Sequence, residues 1–145
     1  MVIAIGADHR GFEHKKFIME HRLRLTGELV DWLDVGCFSS ERCDYPEFAK
    51  LVAKSILEKK ADLGVLICGS GIGMSITANR FKYIYAGLCW NVEVAKAARE
   101  DDNINILVLP SNFVEPARSI EIINAWLDAK FKFGRYQERL AMIDD

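Results

Sequence analysis

Cys68 stands directly before Gly69, Gly71 and Gly73, at the end of the apolar run Leu63–Ile67. A strand ending in such a turn, followed by a helix from about Met74, exposes backbone N–H groups backed by the helix's positive end. A thiol at that place is expected to have its pKa drawn from about 8.5 into the range of about 3.5–7.5. It can then act as a nucleophile or as a proton-abstracting base. No Cys-His-Asn protease signature surrounds it, which favours the base. Amides aimed at a developing oxyanion can contribute roughly 3–4 kcal/mol each. The pattern points to proton chemistry on a small anionic substrate.

Other residues carry compatible chemistry. Asp8-His9 follows the first apolar run, Val2–Gly6, at a place where ligands are bound in parallel sheets. Arg135 and Arg139 lie four residues apart, so on a helix they share a face and can grip one phosphate, with Lys130 and Lys132 adding positive charge nearby. Arg42 reads as a loop charge. The glycine turn is neither the dinucleotide fingerprint nor a P-loop, because its spacing is wrong and no Gly-Lys-Ser/Thr follows.

The elements that must position these groups alternate in type. Strands are expected at Val2–Gly6, Leu29–Val35, Leu63–Ile67, Ile84–Cys89 and Ile106–Leu109. The first helix runs from Phe12 to about Leu25, with Phe17, Ile18, His21 and Leu25 on one face and Gly27 as its stop. The second begins at Asp44 and Pro46 and runs to about Lys59, and Asn91 caps a helix through Arg99. Pro116 opens another to about Ala129, burying Ile120, Ile123, Ala125 and Trp126 or Leu127, and a last short helix spans Tyr136–Ile143. This βα alternation predicts an α/β, Rossmann-like three-layer sandwich with a central parallel five-stranded sheet, in one domain spanning residues 1–145.

Half of the 145 residues are hydrophobic and the formal net charge is -2. That balance offers no general attraction for nucleic acid or an anionic membrane. No apolar run approaches the roughly 20 residues of a membrane span, and the N-terminus does not read as a secretory signal. A cytoplasmic protein with free thiols at Cys37, Cys43, Cys68 and Cys89 is the expectation.

Five stretches taken together resemble a known family: IAIGADHRGFEHK, DVGCFSSERCDYPEFA, GVLICGSGIGMSITANRF, NILVLPSNFVE and GRYQER. In that order they are similar to type B ribose-5-phosphate isomerases, grouped with galactose-6-phosphate isomerase subunits. The resemblance implies an aldose–ketose isomerase acting through a cis-enediolate, with no metal or organic cofactor. It also implies a homodimer whose active sites lie at the interface. On this footing Cys68 is the base, and Ser70 with the amides of Gly69, Gly71, Ile72 and Gly73 holds the enediolate oxygen. Asp8 and His9 contact the sugar, and Arg135 and Arg139 bind its phosphate.

Four positions depart from the family's pattern. Arg99-Glu100-Asp101-Asp102 replaces the usual Arg-x-His-Asn, placing Asp101 at the ring-opening histidine and Asp102 at a sugar-contacting asparagine. Asn112 stands where an arginine is usual, and Tyr136 where a histidine is. Ring opening then falls to Asp101, to His9 or to spontaneous opening. Alternatives are an isomerase of a six-carbon phosphate, such as allose or galactose 6-phosphate, and a non-catalytic sugar-phosphate binding domain.

Overall fold

The strands of the main sheet derive from short, almost wholly apolar runs, which form stably only when both faces are covered. The computed structural model describes residues 1–22, 24–25 and 27–145. In chain order the elements are β1 (Val2–Ala7), α1 (Phe12–Glu20), β2 (Arg24–Leu25), β3 (Glu28–Leu29), β4 (Asp31–Gly36) and α2 (Tyr45–Leu57). There follow β5 (Leu63–Cys68), α3 (Ile72–Ala78), β6 (Ala86–Leu88), α4 (Val92–Asp102), β7 (Ile106–Pro110), α5 (Pro116–Asp128) and α6 (Arg135–Ile143).

Five strands form one all-parallel sheet in the order β4-β1-β5-β7-β6. Alternate residues feed two cores. Ile3, Ile5, Val65, Ile67, Leu107 and Leu109 pack with Ile18 of α1, Ala95 of α4 and Trp126 of α5. Ala4, Leu66, Cys68, Ile106 and Val108 pack with Phe48 and Val52 of α2 and Met74 of α3. The period-two pattern thereby sends Cys68 to the α2/α3 side of the sheet. The expected three-layer α/β architecture is what the chain adopts.

The chain runs from β1 outward to β4, then returns to the other side of β1 as β5. That reversal places the carboxyl ends of β1 and β5 beside a topological switch point, where open parallel sheets bind ligands. Ala7 pairs with Ile67 across it.

The first helix is shorter than its periodicity suggests. It ends at Glu20, and Arg24–Leu25 instead pairs antiparallel with Glu28–Leu29. Gly27, with φ of 87°, therefore turns a small hairpin and does not stop a helix. Leu23, within the expected helix, and Thr26 lie outside the described residues. The buried face of α1 is Lys15 and Ile18, and His21 is exposed. On α5 the buried set is Ser119, Ile122, Ile123 and Trp126; Ile120 is only half-buried. The expected starts are in place at three helices: Asn91 Oδ1 accepts from the Val94 amide at 2.8 Å, Pro116 opens α5, and Asp44 with Pro46 opens α2. Among the described residues no helix is long and apolar enough to cross a membrane.

Candidate active site

At the switch point a cavity of about 600 Å³ opens, lined by Asp8, His9, Cys68, Gly69, Ser70 and Gly73. These are six of the residues singled out from sequence, drawn from the ends of β1 and β5. Its opposite wall is Arg42, Cys43, Asp44 and Tyr45, the approach to α2, with Arg10 beside them. Arg42, read as a loop charge, is thus a wall residue. Arg10, Cys43, Asp44 and Tyr45 were not singled out either. Within the SSERCDYP stretch only the Asp-Pro helix start gave a local signal, and a helix start says nothing about which strand end it faces.

The backbone after Cys68 is held from the neighbouring strand. Ser111 and Asn112 amides donate to the carbonyls of Cys68 and Gly69, both at 2.9 Å. Gly71 has φ of 77°, and a Cβ there would lie 2.4 Å from Leu88 Cδ1. A side chain is therefore excluded by conformation and by space. At Gly73 a Cβ would fall 2.5 Å from the Tyr45 ring, so this glycine lets the opposite wall close against the turn.

Cys68 is 4% exposed. The Gly71 amide donates to its Sγ at 3.2 Å, and the Ile72 amide to Ser70 Oγ at 3.2 Å. Two of the expected oxyanion donors are therefore directed at the thiol and the hydroxyl. The Ser70 hydroxyl hydrogen is left for a substrate oxygen. Burial pushes the Cys68 thiol up from its ordinary value, against the opposing Met74, Gly71 and Ser70 amides. The Asp8 carboxylate adds to the rise. This corrects the expectation of a lowered pKa: α3 has only seven residues, and its end does not outweigh desolvation.

Asp8 is 5% exposed, and its Oδ1 accepts from the Arg10 amide at 3.0 Å and the Gly11 amide at 3.2 Å. Its second carboxylate oxygen remains to accept from a ligand hydroxyl. The Cys43 amide donates to His9 Nδ1 at 3.3 Å, and the Cys43 carbonyl lies 3.2 Å from the same nitrogen. An unprotonated Nδ1 takes the amide's hydrogen bond and a protonated one gives its own to the carbonyl. His9 thus keeps hold of residue 43 in either tautomer.

Since Asp8 disfavours the thiolate electrostatically, Asp8→Asn should move the rising limb of a Cys68-dependent pH–kcat/KM profile to lower pH. Asparagine keeps an oxygen for the Arg10 and Gly11 amides while losing the charge. A pH titration of thiolate absorbance, read alongside the rate profile, checks this. An unchanged or higher limb would contradict it.

The remaining candidates do not line this cavity. Ile72 begins α3 and is 55% exposed. Asp101 pairs with Lys132 at 2.8 Å, and Lys132 also lies 3.6 Å from Glu100 and over the Tyr136 ring. Arg139 lies over the same ring at 5.3 Å. Asp102 lines a separate cleft with Ala98, Ile104 and Leu140. Arg135 opens α6 directly after Gly134. Asp101, Asp102, Arg135 and Arg139 thus belong to α4 and α6, apart from their own chain's Cys68.

Comparison with known proteins places this geometry. The model of the family described as Ribose/Galactose Isomerase matches residues 3–143. Ribose-5-phosphate isomerase B of Escherichia coli is 40% identical over 141 residues, covering 97% of this chain and 93% of its own. The crystal structure of a ribose 5-phosphate isomerase from Thermotoga maritima superposes with a TM-score of 0.93 at 41% identity, over 99% of this chain and 97% of that one. Ribose-5-phosphate isomerase B from Mycoplasma genitalium, with bound ribulose-5-phosphate, gives a TM-score of 0.89 at 37% identity, over 99% and 93%.

Proposed function

The chain belongs to the ribose/galactose isomerase family of sugar-phosphate isomerases, and on that premise we propose that it interconverts D-ribose 5-phosphate and D-ribulose 5-phosphate. The observation that carries this reading is a buried thiol, held by a glycine amide, facing Asp8, His9 and Ser70 across a cavity of about 600 Å³. The pentose 5-phosphate is supported by the relative that holds ribulose 5-phosphate. Family membership as an isomerase sets aside the non-catalytic binding domain.

In this mechanism the Cys68 thiolate takes the C2 proton of the open-chain aldose. The electron pair remains as a cis-enediolate across C1 and C2; the thiol returns the proton to C1 while the O2 hydroxyl proton passes to O1, leaving the C2 carbonyl of the ketose. Ser70 and the turn amides other than those of Gly71 and Ile72, which already donate to Cys68 Sγ and Ser70 Oγ, stabilise the enediolate oxygen. Asp8 and His9 orient the sugar hydroxyls. The phosphate is bound by Arg135 and Arg139 of a second copy of the chain, with Asp101 and Asp102 on the same partner face. Asp101 takes the ring-opening position. The protein is thus a homodimer of the cytoplasm whose sites are completed across its interface.

Proton NMR of ribose 5-phosphate in deuterated water tests the reaction. The expected result is ribulose 5-phosphate with deuterium at the transferred carbon. A silent spectrum with wild-type protein at saturating substrate would overturn the pentose assignment. A six-carbon substrate is the second reading, favoured by Asn112, whose side-chain amide lies against Gly69 at the cavity edge where the family's pattern has an arginine. Faster turnover of allose or galactose 6-phosphate than of the pentose would select it.

A further inference from the structure

The cavity contains a second thiol that the isomerisation does not use. Cys43 is half-buried in the wall facing Cys68, and its backbone is held by His9. Behind it Cys37 is 5% exposed, in the core cluster against which Cys43 packs, and the two residues are tied to neighbouring positions at the end of β1, Cys37 to Ala7 and Cys43 to His9. The backbone of Cys37 is fixed from both sides, because its amide donates to the Ala7 carbonyl at 2.8 Å and its carbonyl accepts from Lys15 Nζ. One sulfur is thus anchored at the end of β4, and the other sits on the loop that forms the cavity wall.

We propose that Cys37 and Cys43 form a reversible intramolecular disulfide that draws the cavity wall away from His9 and switches the site off. The oxidant is hydrogen peroxide. The cavity-facing Cys43 thiolate attacks one peroxide oxygen, becoming a sulfenic acid as the O–O bond breaks and water leaves. The Cys37 sulfur then attacks the sulfenic sulfur, the S–O bond breaks, and a second water leaves. Two thiols lose two electrons and two protons in total, and one peroxide becomes two waters.

The surroundings order these steps. Burial and the hydrogen bond and charge of Cys43 hold the Cys37 thiol up at about 11, while the Lys15 ammonium opposes them. Conversion of Cys43 to a neutral sulfenic acid removes the charge it contributes, and Lys15 remains. Burial still holds the Cys37 thiol up after that change, so Cys37 attacks within the pair by proximity to the sulfenic sulfur and not as a free thiolate.

The consequence follows from what Cys43 touches. Closing the bridge pulls residue 43 toward β4, which breaks the His9 contacts and shifts the adjoining Arg42, Asp44 and Tyr45. A displacement of about 1 Å at such a wall can cost on the order of 100-fold in rate. The switching of activity rests on the isomerase reading; formation of the bridge and its effect on His9 do not.

The test treats the whole protein with stoichiometric hydrogen peroxide. It follows intact mass, the mass of the peptide containing residues 37–43, the His9 ring signals by NMR, and turnover. The expected result is a loss of about two mass units in that peptide with a displaced His9 signal. Turnover should fall about tenfold or more and be restored by dithiothreitol. Cys37→Ser and Cys37→Ala should keep basal turnover and lose the mass change, the His9 shift and the reversible inhibition. No loss of mass in the peptide, or a loss of mass with His9 unmoved, would overturn the proposal. So would a formed bridge with undiminished turnover. If the reduced protein turns over no sugar phosphate, the isomerase reading fails instead, and the mass and His9 signals still decide the bridge.

Discussion

Cys68→Ser should lower kcat for ribose 5-phosphate by about 10²–10⁴-fold, the range expected for loss of a positioned general base, and abolish deuterium incorporation from solvent. The fold should survive, because the substitution exchanges a sulfur for a smaller oxygen at a site where the Gly71 amide still finds an acceptor. Serine cannot replace the base, since its hydroxyl ionises far above the thiol. KM should change little, because Asp8, His9 and Ser70 remain in place. The measurement is steady-state kinetics paired with proton NMR in deuterated water. Retention of more than about a tenth of wild-type kcat would remove Cys68 from the proton-transfer step and redirect attention to other groups on the cavity.

The second large effect concerns the arginines. Arg135→Ala with Arg139→Ala should raise KM strongly, by about 10²-fold or more if two charge-assisted contacts of about 1.5–3 kcal/mol each are lost. The protein should stay folded, because the cation–π contact of Arg139 with Tyr136 lies on an exposed helix. The informative experiment mixes this double variant with Cys68→Ser after subunit exchange. Each homodimer alone is nearly inactive. If the arginines serve the partner's site, a heterodimer holds one intact site, formed by the Cys68 of one chain and the arginines of the other. With random pairing half the dimers are mixed, so about a quarter of wild-type activity should return. No recovery, with mixed dimers confirmed by native mass spectrometry, would mean that α6 serves its own chain's cavity or none.

These expectations explain how two groups of candidate residues relate. Asp8, His9, Cys68, Gly69, Ser70 and Gly73 converge within one chain because β1 and β5 are neighbours whose carboxyl ends meet at the switch point. Asp101, Asp102, Arg135 and Arg139 gather on α4 and α6, where Lys132 is in contact with Asp101, Glu100 and the Tyr136 ring. A pair of arginines directed at phosphate in another subunit needs no contact with its own cysteine.

Alone, the sequence determined the element types, the parallel sheet and the cysteine–glycine turn that lines the cavity at the switch point. Each of these is local: hydrophobic period, proline and asparagine at helix starts, and glycine spacing act within a few residues. It also determined which strand residues face which core, since Cys68 and Leu66 share a side by pleat alone. The tertiary structure decided what depends on distant neighbours. The first helix stops at Glu20 because Arg24–Leu25 pair with Glu28–Leu29, a choice that the apolar spacing of the preceding stretch does not reveal. Arg42 and Tyr45 became cavity walls only because α2 packs beside β1 and β5. The thiol of Cys68 is raised where the helix end alone argued for lowering, because desolvation is set by everything packed around a group and not by the residues next to it in the chain.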